Sequence, residues 1–120
     1  MKKQEKLKQR AERFFQIILQ NKSFDKRTAI SLSEICRHYQ NNFGGGRIDG
    51  QKGREVIRYI RFNIAPSLIA GGKGYYFTSK KEEIEEYILS LRGRWEAIKE
   101  LDEHLQKYLI NEFYEINLAF

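Results

Sequence analysis

Apolar residues recur at helical spacing near the start of the chain. Over residues 4–21 they occur every three or four positions, and charged or amide side chains fill most of the positions between them. This spacing places the apolar side chains on one side of a helix, so it predicts an amphipathic helix over residues 4–21. The apolar positions are Leu7, Ala11, Phe14, Phe15, Ile18 and Leu19.

The middle of the chain predicts a short strand and two helices that a loop separates. Residues 29–32 alternate in character but are long enough only for an edge strand. Ser33 precedes Glu34 to Tyr39 and is a suitable N-cap for a helix of about two turns. Five glycines within residues 41–53 predict a loop. Helical spacing then resumes from about Gln51 to Asn63.

The second half of the chain predicts a β-hairpin followed by a long helix. Residues 68–79 are LIAGGKGYYFTS, in which two strand-forming runs flank a glycine-rich turn, so a hairpin is predicted at about residues 67–78. Thr78 or Ser79 would cap the next helix, whose first turn carries Glu82 and Glu83. That helix keeps apolar steps of four and three for almost four heptads. Its apolar positions are Ile84, Ile88, Leu91, Trp95, Ile98, Leu101 or Asp102, Leu105 and Leu109.

In this order, the elements predict a single α+β domain that is mainly α. Helix, short strand, helix, loop, helix, hairpin and long helix follow one another as in a winged helix-turn-helix domain with long N- and C-terminal helices. Residues 30–32 would form a small third strand against the hairpin. The predicted parts are an N-terminal helix and connector at 4–27, a winged-helix core at 28–79, and a long C-terminal helix at 80–115.

Composition adds a strong charge asymmetry to this picture. Residues 1–81 contain 18 Lys and Arg against 6 Asp and Glu, a net charge of +12. Residues 82–120 contain 4 against 10, a net charge of −6. A basic first part attracts polyanions, so DNA or RNA is the expected partner and an anionic membrane surface is the weaker competitor.

The composition also argues against several other classes of protein. No run of about 18 apolar residues is present, so no membrane-spanning segment is expected. The basic start, MKKQEKLKQR, is not followed by an unbroken apolar stretch and is unlike a secretory signal. A single cysteine, Cys36, rules out an intrachain disulfide and suits a reducing cytoplasm.

Residues 56–94, VIRYIRFNIAPSLIAGGKGYYFTSKKEEIEEYILSLRGR, resemble winged-helix DNA-binding proteins, in particular small ones encoded by bacteriophages and related mobile elements. In those proteins a recognition helix precedes an apolar strand, a glycine-rich wing tip and a Gly-Tyr-Tyr strand. A helix with paired acids follows and continues as Tyr-Ile-x-Ser-Leu-x-x-Arg, here from Tyr87. The resemblance covers roughly residues 28–95 and implies a double-stranded DNA-binding transcriptional regulator or replication factor. Residues 40–50 depart from the pattern, because the turn between the second and third helices normally has only a few residues.

The third predicted helix carries the candidate DNA-reading residues. At about 100° per residue, its apolar side chains form one stripe and its polar side chains lie opposite. Arginine and glutamine pair bidentately with guanine and adenine edges in the major groove, as a recognition helix requires. The stripe consists of Val56, Ile57, Ile60 and Ile64, and the opposite face consists of Gln51, Arg54, Glu55, Arg58 and Phe62, with Arg61 at its margin. The alternatives are an ordinary solvated basic helix and, for Phe62, a place under the wing.

Phosphate contacts are expected from basic residues around this helix. Lys73 lies between glycines at the predicted wing tip, where it can approach a DNA backbone without steric obstruction; a solubilising turn residue is the alternative. Phosphate contacts add affinity and register but little sequence information, and they weaken steeply with salt. The other candidates are Arg47, Lys52, Lys80 and Lys81.

The sequence lacks a catalytic or metal-binding signature, so no enzyme activity, cofactor or small-molecule substrate is expected. Residues 45–52 begin with the glycine spacing of a P-loop, but Gln51 and Lys52 stand where its Lys and its Ser or Thr belong. His38 and His104 are distant in sequence, and no close pair of zinc ligands accompanies them. Cys36 is expected to pack as a small apolar residue.

The long C-terminal helix is more apolar than a winged-helix core requires. Its stripe is expected to form a homodimer interface, with packing on the first helix as the alternative. The residues assigned to the interface are Ile88, Leu91, Trp95, Ile98, Leu105 and Leu109, and an apolar end of Tyr108, Phe113, Tyr114, Ile116, Leu118 and Phe120 would extend it. A second possible function is a winged-helix module that docks a partner protein through Tyr59, Phe62 and Tyr75.

Overall fold

The computed structural model describes residues 2–115, which are mainly helical with one small antiparallel hairpin. The α+β, mainly α class predicted from the sequence is therefore confirmed. The chain divides into two compact units, of which the first ends at Ile84 and the second begins at Glu85. The helices are α1 (Lys3–Gln20), α2 (Leu32–Phe43), α3 (Gly50–Asn63) and α4 (Lys81–Leu109), and the strands are β1 (Leu68–Gly71) and β2 (Gly74–Phe77). A 3-10 turn at Lys26–Thr28 and a π-helical segment at Ile110–Glu115 complete the elements. Predictions for Ile116, Leu118 and Phe120 lie outside the described residues.

Helix α1 forms where the apolar spacing predicted a helix, and it supplies much of the core of the first unit. Its buried side chains face α2 and α3, and the Phe14 ring meets the Tyr39 ring of α2 edge to face at 5.5 Å between centroids. The hairpin covers the same core with Leu68, which is 1% exposed. The core residues include Ala11, Phe14, Ile17, Ile18, Ile30, Ile35, Val56, Ile57, Ile60 and Leu68.

Helix α2 begins two residues earlier and ends four residues later than the sequence predicted. Ser31, not Ser33, is the N-cap, because its hydroxyl oxygen accepts a hydrogen bond from the Glu34 N–H at 3.2 Å. The chain is still extended at Ile30, which pairs with Tyr75, so the helix starts directly after the cap. At the other end, Phe43 is the last residue of the helix, and its ring lies 5.3 Å from the Tyr39 ring between centroids.

The predicted third strand at residues 30–32 is reduced to an isolated bridge between Ile30 and Tyr75. The two residues exchange backbone hydrogen bonds of 3.0 and 2.8 Å, and Leu32 already belongs to α2. Gly74, which precedes Tyr75 in β2, lies so close to this bridge that an added Cβ would overlap the Ile30 carbonyl oxygen. The close approach of the two backbones therefore requires glycine at position 74.

The predicted loop at residues 41–53 is shorter in the structure, because Gly50 and Gly53 lie inside α3. Asp49 caps this helix by accepting a hydrogen bond from the Lys52 N–H at 2.8 Å. Gly53 is buried against Leu32, where an added Cβ would crowd the leucine side chain at 3.0 Å. Ile48 is buried as well, so it anchors the end of the loop to the core just before α3 begins.

The hairpin forms where the sequence predicted it. Leu68 pairs with Phe77, Ile69 with Tyr76, Ala70 with Tyr75 and Gly71 with Gly74. Gly72 and Lys73 form the two-residue turn, and Gly72 takes a positive φ of 62°, as the first central residue of a type II′ turn does.

A short hydrogen-bond network joins the hairpin to the start of α4. The Tyr76 hydroxyl and the Thr78 hydroxyl, the latter at 2.9 Å, both donate to the carboxylate of Glu83. Thr78 also accepts from the Lys80 N–H at 3.0 Å, just before α4 begins at Lys81. These hydrogen bonds hold the pKa of Glu83 below its ordinary value, because Tyr76 and then Thr78 stabilise its ionised form.

Candidate nucleic-acid interface

Helix α3 buries one face and exposes the other. Val56, Ile57 and Ile60 are at most 2% exposed, as their spacing predicts, and Ile64 is half-buried just after the helix. The opposite face is exposed. It consists of Gln51, Arg54, Glu55, Arg58 and Phe62. A basic helix is therefore fixed on the core by one side while its polar side is open to a partner.

Arg61 joins α3 to the hairpin at one edge of this exposed face. Its Nε donates a hydrogen bond to the Leu68 carbonyl oxygen at 2.9 Å, and its guanidinium lies 5.5 Å from the centre of the Tyr75 ring. Arg61 is consequently half-buried, whereas Arg54 and Arg58 are exposed. Its position makes it a brace between α3 and β1, and the hairpin runs along this edge.

The first half of α1 lies along the other edge of the exposed face. Two grooves separate the two helices, one of about 230 Å³ and one of about 400 Å³. Leu7 of α1 and Glu55 of α3 line both of them. The smaller groove is otherwise lined by Lys3, Lys6, Arg10, Lys52 and Val56, and the larger by Arg58, Tyr59, Phe62 and Asn63.

Phe62 does not lie under the hairpin, which was one interpretation of the sequence. Its side chain is 71% exposed, and the guanidinium of Arg58, one helical turn earlier, lies 4.5 Å from the centre of its ring. The aromatic ring and the cation therefore form a stacked pair on the outward face of α3. This pair limits the conformations of Arg58 and presents a flat, charged surface.

The remaining candidate phosphate contacts are exposed but lie on different elements. Lys52 is in the first turn of α3, Arg47 is in the loop before it, Lys73 is at the hairpin turn, and Lys80 precedes α4. The guanidinium of Arg54 lies against Gly50 at the start of α3. The structure thus brings Gln51, Lys52, Arg54 and Arg58 together on one helix and leaves the other candidates around its borders.

Lys3, Lys6 and Arg10 were not among the predicted candidate residues. Lys3 precedes the helix predicted over residues 4–21, and Lys6 and Arg10 were counted only among its polar positions. Nothing in their own segment indicated which element would pack beside them. Their spacing could have indicated the groove. Together with Leu7 they occupy positions i, i+3, i+4 and i+7, which share one helix face.

The predicted interface stripe of α4 is exposed along its whole length. Helix α4 has no buried residue, and Trp95 is 58% exposed with the Lys99 ammonium 5.2 Å from its ring centre. The other stripe residues that the sequence assigned to an interface are also exposed: Ile88, Leu91, Ile98, Leu105 and Leu109.

The residues that the structure describes also bear on metal binding, on the cysteine thiol and on membrane insertion. Among these residues, no three His, Cys, Asp or Glu side chains are grouped so that they could bind a metal ion. Cys36 is half-buried, and burial, followed by the nearby Asp49 carboxylate, raises the pKa of its thiol. No described helix has the length and apolar character needed to span a bilayer.

Neither a scan against protein-family models nor searches of the curated proteins and the solved structures found a match for this chain. The resemblance to winged-helix proteins therefore stays a prediction from residues 28–95.

Proposed function

We propose that the protein binds double-stranded DNA through the outward face of α3, with the hairpin as a wing beside it in a winged helix-turn-helix arrangement. The observation that carries this proposal is the outward presentation of Gln51, Arg54 and Arg58 on a helix whose opposite face is buried. A recognition helix needs an exposed face of this kind, because that face enters the major groove while the opposite face packs on the core. The net charge of +12 over residues 1–81 supplies the long-range attraction to DNA.

The proposed contacts divide into two kinds. Gln51, Arg54 and Arg58 would contact base edges, and the stacking of Arg58 on Phe62 reduces the conformational entropy that Arg58 loses on binding. Lys73, Arg47 and Lys80 would contact phosphates on either side of the helix. Arg61 would contribute indirectly, since it holds the hairpin in place relative to α3.

The biological role that fits these contacts is that of a cytoplasmic transcriptional regulator or replication factor of the bacteriophage or mobile-element type. The proposal includes no chemistry on the DNA, no cofactor and no membrane. A second copy of the chain would be bound through the exposed stripe of α4, since a 3–4 apolar repeat is self-complementary in a coiled coil.

Binding of the full chain to duplex fragments, followed by gel shift at two salt concentrations, tests the proposal. Retarded bands at low salt, with a preference for particular fragments that persists in excess non-specific duplex, support it. Weaker binding at the higher salt is expected because each neutralised phosphate releases counterions. Absence of any retarded band at the lower salt concentration contradicts the proposal.

A protein-docking module is the second candidate function, and the groove lined by Leu7, Tyr59 and Phe62 favours it. This groove of about 400 Å³ combines an aromatic ring that is 71% exposed with the side chains of Leu7 and Tyr59, and Glu55, Arg58 and Asn63 complete its lining. A partner held there would be retained in high salt, and Phe62→Ala would release it. Salt-insensitive capture of one protein, together with no retention on heparin or DNA, would select this function over DNA binding.

A further inference from the structure

We infer that the first half of α1 is a second phosphate-binding element, in which Lys3, Lys6 and Arg10 act together with Lys52 of α3. This inference rests on the proposed function and extends it to residues that the sequence analysis did not assign. Its basis is the groove of about 230 Å³ between the two helices, which four basic side chains line with a single acidic one, Glu55.

The orientation of α1 concentrates positive charge on this groove. At about 100° per residue, Lys3, Lys6 and Arg10 fall within about 60° of one another, whereas Glu5 and Glu12 fall on the opposite side of the helix. The acidic side chains of α1 are therefore turned away from the groove. A solvated helix with no partner would gain nothing from this separation of charge.

The same side of α1 is held firmly by the core. Leu7, which belongs to this side, is half-buried and packs against the core cluster, and Ala11 and Phe14, one and two turns later, are fully buried. The basic side chains therefore project from a fixed backbone. Neighbouring cations that repel one another are stabilised when an anion enters between them, and a DNA backbone supplies a row of such anions.

The groove also lies at a suitable position beside the exposed face of α3. Arg61 and the hairpin border one edge of the exposed face of α3, and the α1 groove borders the other edge, beside Lys52 and Glu55. A helix in the major groove has one sugar-phosphate backbone on each side of it. The hairpin would contact the backbone on one side, and α1 would contact the backbone on the other.

The test compares the salt dependence of duplex binding for the full-length wild type and the variant Lys3→Gln/Lys6→Gln/Arg10→Gln. Each phosphate contact contributes about 0.9 to the slope of log K against log salt, so the variant should lose about 2–3 from the slope. Its preference among duplex sequences should be unchanged, since phosphate contacts carry little sequence information. Lys3→Gln/Lys6→Gln, which spares the half-buried Arg10, should lose about 2.

The matched control is Lys8→Gln/Lys22→Gln/Lys107→Gln, which removes the same charge from exposed positions outside the groove. Its slope should stay within about 1 of the wild-type slope, because the loss of net charge acts only through weak long-range attraction. Equal slopes for the groove variants and the control overturn the inference. If Arg54→Ala/Arg58→Ala weakens binding in that case, DNA binding by α3 stands and only the role of α1 fails. If the wild type binds no duplex, both fail.

Discussion

Gly74 is the residue at which the fold leaves least choice of side chain. An added Cβ would overlap the carbonyl oxygen of Ile30, and both neighbouring segments are fixed by the Ile30–Tyr75 bridge. Gly74→Ala should therefore lower the free energy of unfolding by about 2–4 kcal/mol, because backbone must move to admit the methyl group. Gly46→Ala is the control, since nothing lies within 4 Å of a Cβ at that loop position.

Urea denaturation of the two glycine variants measures the difference. The control should lie within about 0.5 kcal/mol of the wild type. Equal stability of Gly74→Ala and Gly46→Ala would show that β2 does not approach Ile30 as closely as the structure has it.

Glu83 makes the stability of the first unit depend on pH. Its pKa is lowered in the folded protein by the hydrogen bonds from Tyr76 and Thr78, so the stabilisation is complete above its unfolded pKa, which has an ordinary value of 4.5. As the pH falls through the lower folded value, the carboxylate is protonated and the stabilisation is lost. Glu83→Gln should therefore show a smaller loss of stability than the wild type when the pH is lowered through this window.

The measurement is the urea midpoint at neutral pH and at a pH below the ordinary carboxylate range, with Glu82→Gln as the control. Glu82 is exposed in the same turn, so its replacement removes the same charge without the network. A pH dependence as large in Glu83→Gln as in Glu82→Gln would contradict the role of the network.

At the scale of elements, the sequence predicted α1, α3 and the hairpin well, because their apolar periods and turn residues agree with their final packing. It was wrong at both ends of α2 and at Gly53, which it assigned to the loop before α3, because tertiary contacts decide these positions. The Ile30–Tyr75 bridge determines that Ser31 rather than Ser33 caps α2. Gly53 is typical of a loop in the sequence, but in the structure it allows α3 to pack closely against Leu32. No local pattern distinguishes a loop glycine from a glycine at a close helix contact.

In the candidate site, too, features set by local spacing could be predicted, and features set by tertiary packing could not. Exposure of Arg54 and Arg58 could be predicted, because it depends only on helical spacing and one buried stripe. The brace that Arg61 forms to Leu68 could not, because it depends on where the hairpin packs. The basic groove of α1 depends on the packing of two helices that are far apart in sequence, so it also required the structure.

The heptad repeat of α4 predicts the orientation of the proposed dimer. In its heptad repeat, Asp102 falls on a core position together with Ile88 and Trp95. A parallel, in-register pair would place two Asp102 carboxylates face to face, which is unfavourable for like charges. An antiparallel pair that layers Trp95 on Ile98 would place Asp102 opposite Leu91, so we expect this orientation.

Sedimentation of variants tests the stripe. Trp95→Ala should weaken self-association at least about tenfold, and Asp102→Leu should strengthen it, because an apolar side chain then completes the repeat. Glu100→Leu is the control, since position 100 falls outside the stripe and the substitution makes the same change from acid to leucine. Sedimentation of the wild type and all three variants as one identical monomer would rule out the interface.

At the scale of the whole molecule, the proposed function follows from the uneven distribution of charge along the chain. The net charge of +12 over residues 1–81 coincides with α1, α3 and the hairpin, and the −6 of residues 82–120 coincides with α4 and the residues after it. The acidic segment would repel a phosphate backbone, so the proposed DNA binding would use the first unit alone. The apolar stripe of α4 would then be available to the proposed second copy of the chain.

The most direct test of the central claim is the affinity of Arg54→Ala/Arg58→Ala for a duplex that the wild type prefers, measured by fluorescence anisotropy. Each arginine that pairs with a base edge contributes about 1–3 kcal/mol, so the double variant should bind at least about tenfold more weakly and lose its preference among sequences. Lys8→Ala/Lys107→Ala, which removes the same charge outside the proposed surface, should bind nearly as the wild type does. Equal affinity of the wild type and Arg54→Ala/Arg58→Ala would contradict the assignment of α3 as the DNA-reading helix.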